Sequence, residues 1–504
     1  MRPRQCGGAR HPRPAGVQIS TSFAASGALS PARPMKPSRP AAPQMGKDDI
    51  GLLLWKLSAP AAVGMMVMSL NNVVDTIFIG HWLGTLGIAG VSVVVPVTFL
   101  IAIIGMALGV GGSSISARAL GAGQPARAEK ALANLLLVNL ALASLASLLA
   151  LAFERPILLA FGAQGAIYPF AAEYYRVSLY GLPLFSTAMF FNNMIRSQGQ
   201  ARVSMRAMML AAVLNIVLDP ILIRTFGMGM AGAAWASNLS YLGSVSFSLN
   251  FFLRGPSRVR FRRAAFRPDW GIVGEAMALG STNFARQGTN SLLTLVVNQA
   301  LFTYGGEVGV AVYGIVNRVV MFTMFPLTGL AQGFLPVAGF NYGARHFGRV
   351  RETLALAARY GMLAGLLALL VVELFPRALA SAFTDDPELV DMASHALRMV
   401  FLTMPLVGLQ FLGAGYFQAI GQAGRALFLA LSRQGLLLVP LVLVLPRFWQ
   451  IDGVWYSFVI ADALAFAITA AFVVPQWKRL ELAQSRHAEE AEAMPQASVA
   501  PSPS

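Results

Sequence analysis

The sequence predicts an all-α membrane protein: twelve transmembrane helices in two six-helix lobes related by a parallel pseudo-two-fold repeat. Three observations predict it. The 504-residue chain is 56% apolar and 12% charged, about half the charge of an ordinary soluble domain. Its apolar residues fall into twelve blocks of roughly 20 residues or more, enough to cross about 30 Å of hydrocarbon at helical rise. The second half of the chain echoes the first at a constant offset of 222 residues.

In chain order, residues 1–49 form a basic tail rich in Arg, Pro, Ser and Ala, expected to be disordered, with Met45 a natural alternative start. The N-lobe covers 50–253, with spans at about 55–80, 88–115, 130–153, 172–195, 204–224 and 229–253. A basic linker at 254–270 follows. The C-lobe covers 271–475, with spans at about 271–302, 309–337, 354–375, 392–417, 425–446 and 453–475. Residues 476–504 are a polar, Ala/Glu-rich tail expected to fray in solvent.

Charge orients this array. Alternate loops carry Arg118, Arg127 and Lys130, then Arg196, Arg202 and Arg206, then the Arg254–Arg267 cluster, then Arg345, Arg349 and Arg351. The intervening loops hold only Arg155, Arg224, Arg377 and Arg447. That asymmetry places both termini in the cytoplasm, for a multi-pass protein of the inner (plasma) membrane. It also assigns the net charge of +16 to topology and anionic lipid, not to nucleic acid. Cys6 is the sole cysteine, and the five histidines lie in tails, loops or helix ends, so no disulfide framework or His/Cys metal site is expected.

At the 222-residue offset Ser69 meets Ser291, Gly84 meets Gly306, Gly111 meets Gly333, Gly121-Ala122 meets Gly343-Ala344, and Gly199-Gln200-Ala201 meets Gly421-Gln422-Ala423. Six spans per half give the halves one orientation, with a path between them.

The membrane-depth acids carry the chemistry. Asp75 and Asp219 each lie about five residues, roughly 8 Å, from the outer end of their spans. A carboxylate at such a depth costs roughly 2.5–3.5 kcal/mol on insertion scales unless a cavity or partner receives it. Asn215 is one turn below Asp219, Pro220 frees the Ile216 carbonyl, and Ser237 reaches a comparable depth. These are hard oxygen ligands suited to H⁺ or Na⁺, with a possible Na⁺ at Asp75 and Asp219. Two carboxylates in one dry cavity will not both stay ionised, which makes a protonation switch available. The alternative role for such acids is a packing hydrogen bond.

The C-lobe offers uncharged polar residues instead, apart from Asp462, read as a structural ion pair or amide partner ahead of a second coupling site, with Arg433, Arg286 or Arg318 as candidate partners. Candidate cavity residues are Met68, Asn71, Asn72, Met189, Asn192, Asn193, Asn283, Gln287, Asn290, Gln332 and Gln410. Met and aromatic residues among the polar ones suit varied amphipathic or cationic ligands, although ordinary packing also uses them. No Ser/His, His/Asp or metal constellation lies at membrane depth, so a membrane-embedded enzyme is not expected.

Several segments resemble the multidrug and toxic compound extrusion (MATE) family, over about residues 50–475. They are Val74-Asp75-Thr-Ile-Phe-Ile-Gly80, Ser116-Ala-Arg118-Ala-Leu-Gly121, Arg196-Ser-Gln-Gly199, Asn215-Ile-Val-Leu-Asp219-Pro220, Gln332-Gly-Phe-Leu-Pro336 and Asn341-Tyr342-Gly343-Ala344. Together they look like its DinF/MepA branch. The resemblance implies a monomeric antiporter without a cofactor, exporting amphipathic or cationic small molecules against an inward H⁺ or Na⁺ gradient. It also implies an N-lobe cation site at Asp75, Asn215 and Asp219, with Ser237 where the family usually has Thr. Another branch carries acids in spans seven and ten, which this chain lacks. A lipid-linked oligosaccharide flippase of related architecture is the alternative reading, and it calls for a strongly basic cavity.

Overall fold

Helices make up nearly all of the described chain. A computed structural model describes residues 44–493. Its helices are α1 (Ile50–Gly121), α2 (Pro125–Ala152), α3 (Glu154–Ala160), α4 (Ile167–Arg196), α5 (Ala201–Pro220), α6 (Gly229–Arg254) and α7 (Trp270–Gly343). They continue with α8 (Phe347–Leu374), α9 (Pro376–Ser381), α10 (Pro387–Phe401), α11 (Met404–Ala419), α12 (Ala423–Leu431), α13 (Val439–Val444) and α14 (Pro446–Ala493). Seven helical stretches among the described residues are long and apolar enough to cross a membrane, or eight if the bent pair α10–α11 counts as one.

The two longest helices, α1 with 72 residues and α7 with 74, are interrupted by glycines in the left-handed region. Gly84 has φ 72° and Gly306 has φ 62°, a conformation that a Cβ would strain. Both helices begin on an aspartate cap. Asp49 accepts from the Leu52 N–H at 2.8 Å and Asp269 from the Ile272 N–H at 3.2 Å, satisfying donors that a helix start leaves free. Left-handed glycines also precede α5 and α12, at Gly199 and Gly421.

Polar contacts sort the loops into two ends. At one end Arg118 and Arg127 share Glu275 at 2.7 and 2.8 Å, and Lys130 approaches Asp269 at 3.6 Å. Here the 254–270 linker is packed rather than loose: Gln198 Oε1 accepts from the Ser257 hydroxyl and from the Arg258 N–H, and Asn134 Nδ2 donates to the Ala265 and Arg267 backbone carbonyls. Glu154 pairs with Arg176, Arg377 with Asp391 and His395 with Asp452 on connections that follow the opposite ends of the helices. Exposed aromatics such as Trp55, Trp270, Phe226 and Phe448 lie near helix ends, where amphipathic rings suit a membrane–water boundary.

Both tails are shorter than expected. Most of the 1–49 tail lies outside the described residues, but Gln44–Asp49 is folded. Met45 is fully buried, and its carbonyl accepts from Asn341 at 3.1 Å and Arg349 at 3.3 Å. Beyond residue 475, α14 continues to Ala493, with Leu480 buried, Arg351 over the Trp477 ring and Arg351 paired with Glu481. An amphipathic helical extension docks where the sequence suggested fraying.

The halves of the chain meet where small residues let backbones touch. A Cβ at Gly111 would lie 2.1 Å from the Ala276 carbonyl oxygen, and one at Gly280 2.4 Å from that of Ala107. Closer to the basic end, a Cβ at Gly343 would lie 2.1 Å from the Arg118 carbonyl oxygen, and one at Gly121 1.9 Å from that of Phe340. Without a hydrophobic drive between helices in lipid, such backbone approaches supply dispersion and exclude lipid. Gly343→Ala is therefore expected to part α1 from α7 at this end. A Cys6→Ser, Ser116→Cys background, with Ser116 fully buried, would then react several-fold faster with a maleimide. An unchanged rate would mean that the contact is not needed for closure.

Candidate functional site

Asp219 and Asn215 sit on one face of α5, four residues apart, because the apolar run around them is helical up to Pro220. Proline donates no backbone hydrogen bond, and the helix continues past it as a π-helical turn, Ile221–Thr225. Asp75 and Asn71 are likewise four residues apart on the first half of α1.

The four side chains form one group. Asn71 Nδ2 donates to Asn215 Oδ1 at 2.8 Å. Asn215 Nδ2 donates to Asp219 Oδ1 at 3.3 Å and to Ser237 Oγ of α6 at 3.4 Å. Asp75 and Asp219 are close electrostatic neighbours, and the phenols of Tyr174 on α4 and Tyr241 on α6 lie in the field of both. Asp219 is 0% and Asn215 3% exposed.

The group has more acceptors than donors. Asp75 Oδ1, Asp219 Oδ2 and Asn71 Oδ1 are buried without a hydrogen-bond donor. Unpaired buried acceptors are costly, and two adjacent carboxylates add mutual repulsion. A shared proton would serve the two acids, and a Na⁺ would serve several oxygens at once. The residues thus fit either ion.

All the expected cation-site residues come together: Asp75, Asn215, Asp219 and Ser237. Asn71, expected in the cavity, belongs to this group instead. Its spacing of four from Asp75 was the available signal. Tyr174 and Tyr241 were not singled out, since nothing local distinguishes them from packing aromatics.

A separate cavity of about 260 Å³ lies between the halves of the chain. Asn283, Gln287 and Gln332 line it, as expected. The other cavity candidates do not line it. Asn192 and Asn193 are buried and engaged: Asn192 accepts from Ser204 at 3.0 Å, and Asn193 accepts from Arg196 at 2.9 Å. Gln410 is buried in α11 with an unpartnered Nε2. Asn290 is exposed and accepts from Gln434 at 3.2 Å, Asn72 is exposed, and Met68 and Met189 are half-buried. Inward-facing spacing marks helix–helix contacts as readily as a cavity wall, and Asn192 and Asn193 went to the contacts.

Asp462 on α14 is 2% exposed and paired. Arg433 donates to it through Nε and Nη2, and the Thr403 hydroxyl donates at 2.9 Å. Of the three candidate arginines, Arg433 is the partner, held on a second π-helical segment, Ser432–Leu438. Arg286 instead lines the cavity.

A helical membrane fold with a buried pair of carboxylates in one half and a cavity between halves is the arrangement of a polytopic membrane transporter. The MatE family model matches residues 60–221 and again 284–444, and the chain belongs to the MatE family. It is 26% identical over 429 residues to the multidrug export protein MepA of Staphylococcus aureus (strain MSSA476), covering 85% of this chain and 94% of that protein. A crystal structure of a MATE protein in a bent conformation is 28% identical with a TM-score of 0.83, covering 88% of this chain and 98% of that one. An outward-facing multidrug resistance MATE transporter of the MOP superfamily is similar to 28% identity with a TM-score of 0.81, at 87% and 98% coverage.

Proposed function

We propose that this chain is a cation-coupled antiporter that exports amphipathic small molecules by alternating access, with H⁺ or Na⁺ as the coupling ion. The observation that carries it is the buried Asp75–Asp219 pair with its donor-less oxygens. An ion that satisfies those oxygens stabilises the arrangement that keeps them together, and antiport requires only that cargo favour the other arrangement. The Pro220 π turn gives α5 a place to bend as the group opens or closes. Export of drugs, as in the name of the MepA relatives, is consistent with this reading.

The architecture we propose has twelve crossings. Dividing α1 at Gly84 and α7 at Gly306, counting α10–α11 and α12–α13 as one span each, and adding α4 and α6 yields six per lobe. The two-fold match of the family model, the paired glycine breaks and the paired Asp caps support a parallel repeat. Both termini are placed in the cytoplasm of a plasma-membrane monomer, on the strength of the basic end. The described state is then closed on the cytoplasmic side, where α1 and α7 touch.

The flippase reading calls for a strongly basic cavity, and the lining holds a single arginine, Arg286. The test is efflux from proteoliposomes of a fluorescent amphipathic cation, and separately an anion, under an imposed H⁺ gradient and then a Na⁺ gradient. Efflux driven by one gradient names the ion. No response of either dye to either gradient would overturn coupled antiport.

A further inference from the structure

Arg286 is the charged residue in the cavity wall, and no carboxylate among the described residues pairs with it. The lining combines α1 (Phe99, Ile103, Met106), α7 (Asn283, Arg286, Gln287, Gln332) and α11 (Phe411, Gln418), and contains no acid. Arg286 is held, not floating. Its Nη2 donates to Asn283 Oδ1 at 2.9 Å, and its guanidinium carbon lies 4.7 Å from the centre of the Phe411 ring. Stacking on a ring face and a tether at one nitrogen leave the other edge of a planar fork presented to the cavity. Beside it, Asn283 Nδ2 is a buried donor without an acceptor. The amide of Gln332 faces the same space.

Donor chemistry therefore dominates one spot of an otherwise apolar chamber. A cation placed there would meet a fixed like charge with no acid to offset it, in surroundings that screen charge poorly. An oxyanion would take the free fork of Arg286 and satisfy the Asn283 amide, while its apolar body lay on Phe99, Ile103 and Met106.

We propose that the inter-lobe cavity is a binding site for amphipathic organic oxyanions, read by Arg286 with Asn283 and Gln332. The proposal differs from the expectation of amphipathic or cationic cargo in the sign of the charge at the cavity. It rests on the antiport reading only for what happens after binding. The shared chemistry, an oxyanion on an apolar body, belongs equally to soluble organic acids and to anionic lipids.

The test is equilibrium binding, without any gradient, to full-length protein in phosphatidylcholine nanodiscs, with empty nanodiscs subtracted. The probes are dansylglycine, a carboxylate, and dansylcadaverine, a cation on the same ring system. Wild type is expected to bind dansylglycine about tenfold tighter or more, the scale of a charge-assisted hydrogen bond. Arg286→Gln should erase that preference and Arg286→Lys keep its sign at lower affinity. Gln332→Glu, which leaves Arg286 in place, should shift preference toward the cation and guards against misfolding of the Arg286 variants. Displacement of dansylglycine by dihexanoyl-phosphatidylglycerol but not dihexanoyl-phosphatidylcholine would assign the oxyanion to a lipid headgroup; no displacement by either would assign it to soluble acids. Tighter binding of dansylcadaverine to wild type, binding of neither probe, or a dansylglycine preference that survives Arg286→Gln would overturn the site. Those results leave gradient-driven efflux untouched, whereas bound dansylglycine with no movement of either dye under either gradient would overturn antiport and leave the site standing.

Discussion

Replacing Asp219 by Asn is expected to reduce gradient-driven efflux to the level of empty liposomes, while the protein folds at least as well as wild type. Asp219 is fully buried, one of its oxygens has no donor, and it faces Asp75. Asn keeps the shape, removes one of two like charges and brings donors to the orphaned oxygens, so the buried repulsion falls. What is lost is the site's differential affinity for the coupling ion. A ligand that binds two states equally shifts nothing between them, however tightly it binds. Asp75→Asn should act in the same direction. The measurement is dye efflux in proteoliposomes beside thermal unfolding of the same preparations. Efflux that persists in both variants would remove the N-lobe from the coupling mechanism and turn attention to Asp462.

Arg433→Met should produce the largest loss of stability. It strands Asp462, 2% exposed, with only the Thr403 hydroxyl as donor. Breaking a buried pair by removing one partner costs about 3–5 kcal/mol, because an uncompensated charge remains. Replacing both members, Arg433→Met with Asp462→Asn, should recover most of that loss, since Asn can still accept from Thr403. If the pair is structural, the double variant also keeps gradient-driven efflux. A stable double variant without efflux would make Asp462 a second coupling residue. Thr403 lies where α10 and α11 bend by 49°, so the pair ties that bend to α14.

The two lobes would treat their buried charges in opposite ways, each beside a π segment in its fifth span. The N-lobe sets unpaired acids on α1 and α5 near the π turn after Pro220; the C-lobe sets a neutralised pair between its own π segment and α14. Charge that is paired resists change, and charge that is unpaired invites a ligand. That contrast supports coupling in the N-lobe.

Much of the candidate site was legible because its signals are local. An acid inside an apolar run is conspicuous from the run alone, and counting residues to the span end puts Asp75 and Asp219 at one depth. Asn215 and Asn71 follow from the i, i+4 spacing of a helix, although only the first was assigned to the cation site. The cavity was less legible. Asn192, Asn193 and Asn283 have the same residue type and comparable placements, yet the first two are engaged by Ser204 and Arg196 while the third holds Arg286. Nothing in the spacing distinguishes those outcomes. Arg286 itself stood among the candidate partners of Asp462, and the structure gives that role to Arg433.

The sequence by itself determined the membrane class, the acids set inside apolar runs and the matched glycines between spans, because transfer of side chains into hydrocarbon and the φ freedom of glycine act residue by residue. Only the tertiary structure decided which acceptors would lack donors, which arginine would neutralise Asp462 and which would face the cavity. Those outcomes depend on how closely helices approach, at contacts such as Gly111 on Ala276 and Gly343 on Arg118. Helix approach sets side chains that lie more than a hundred residues apart within bonding distance, and hydrogen bonds form or fail over a few tenths of an ångström.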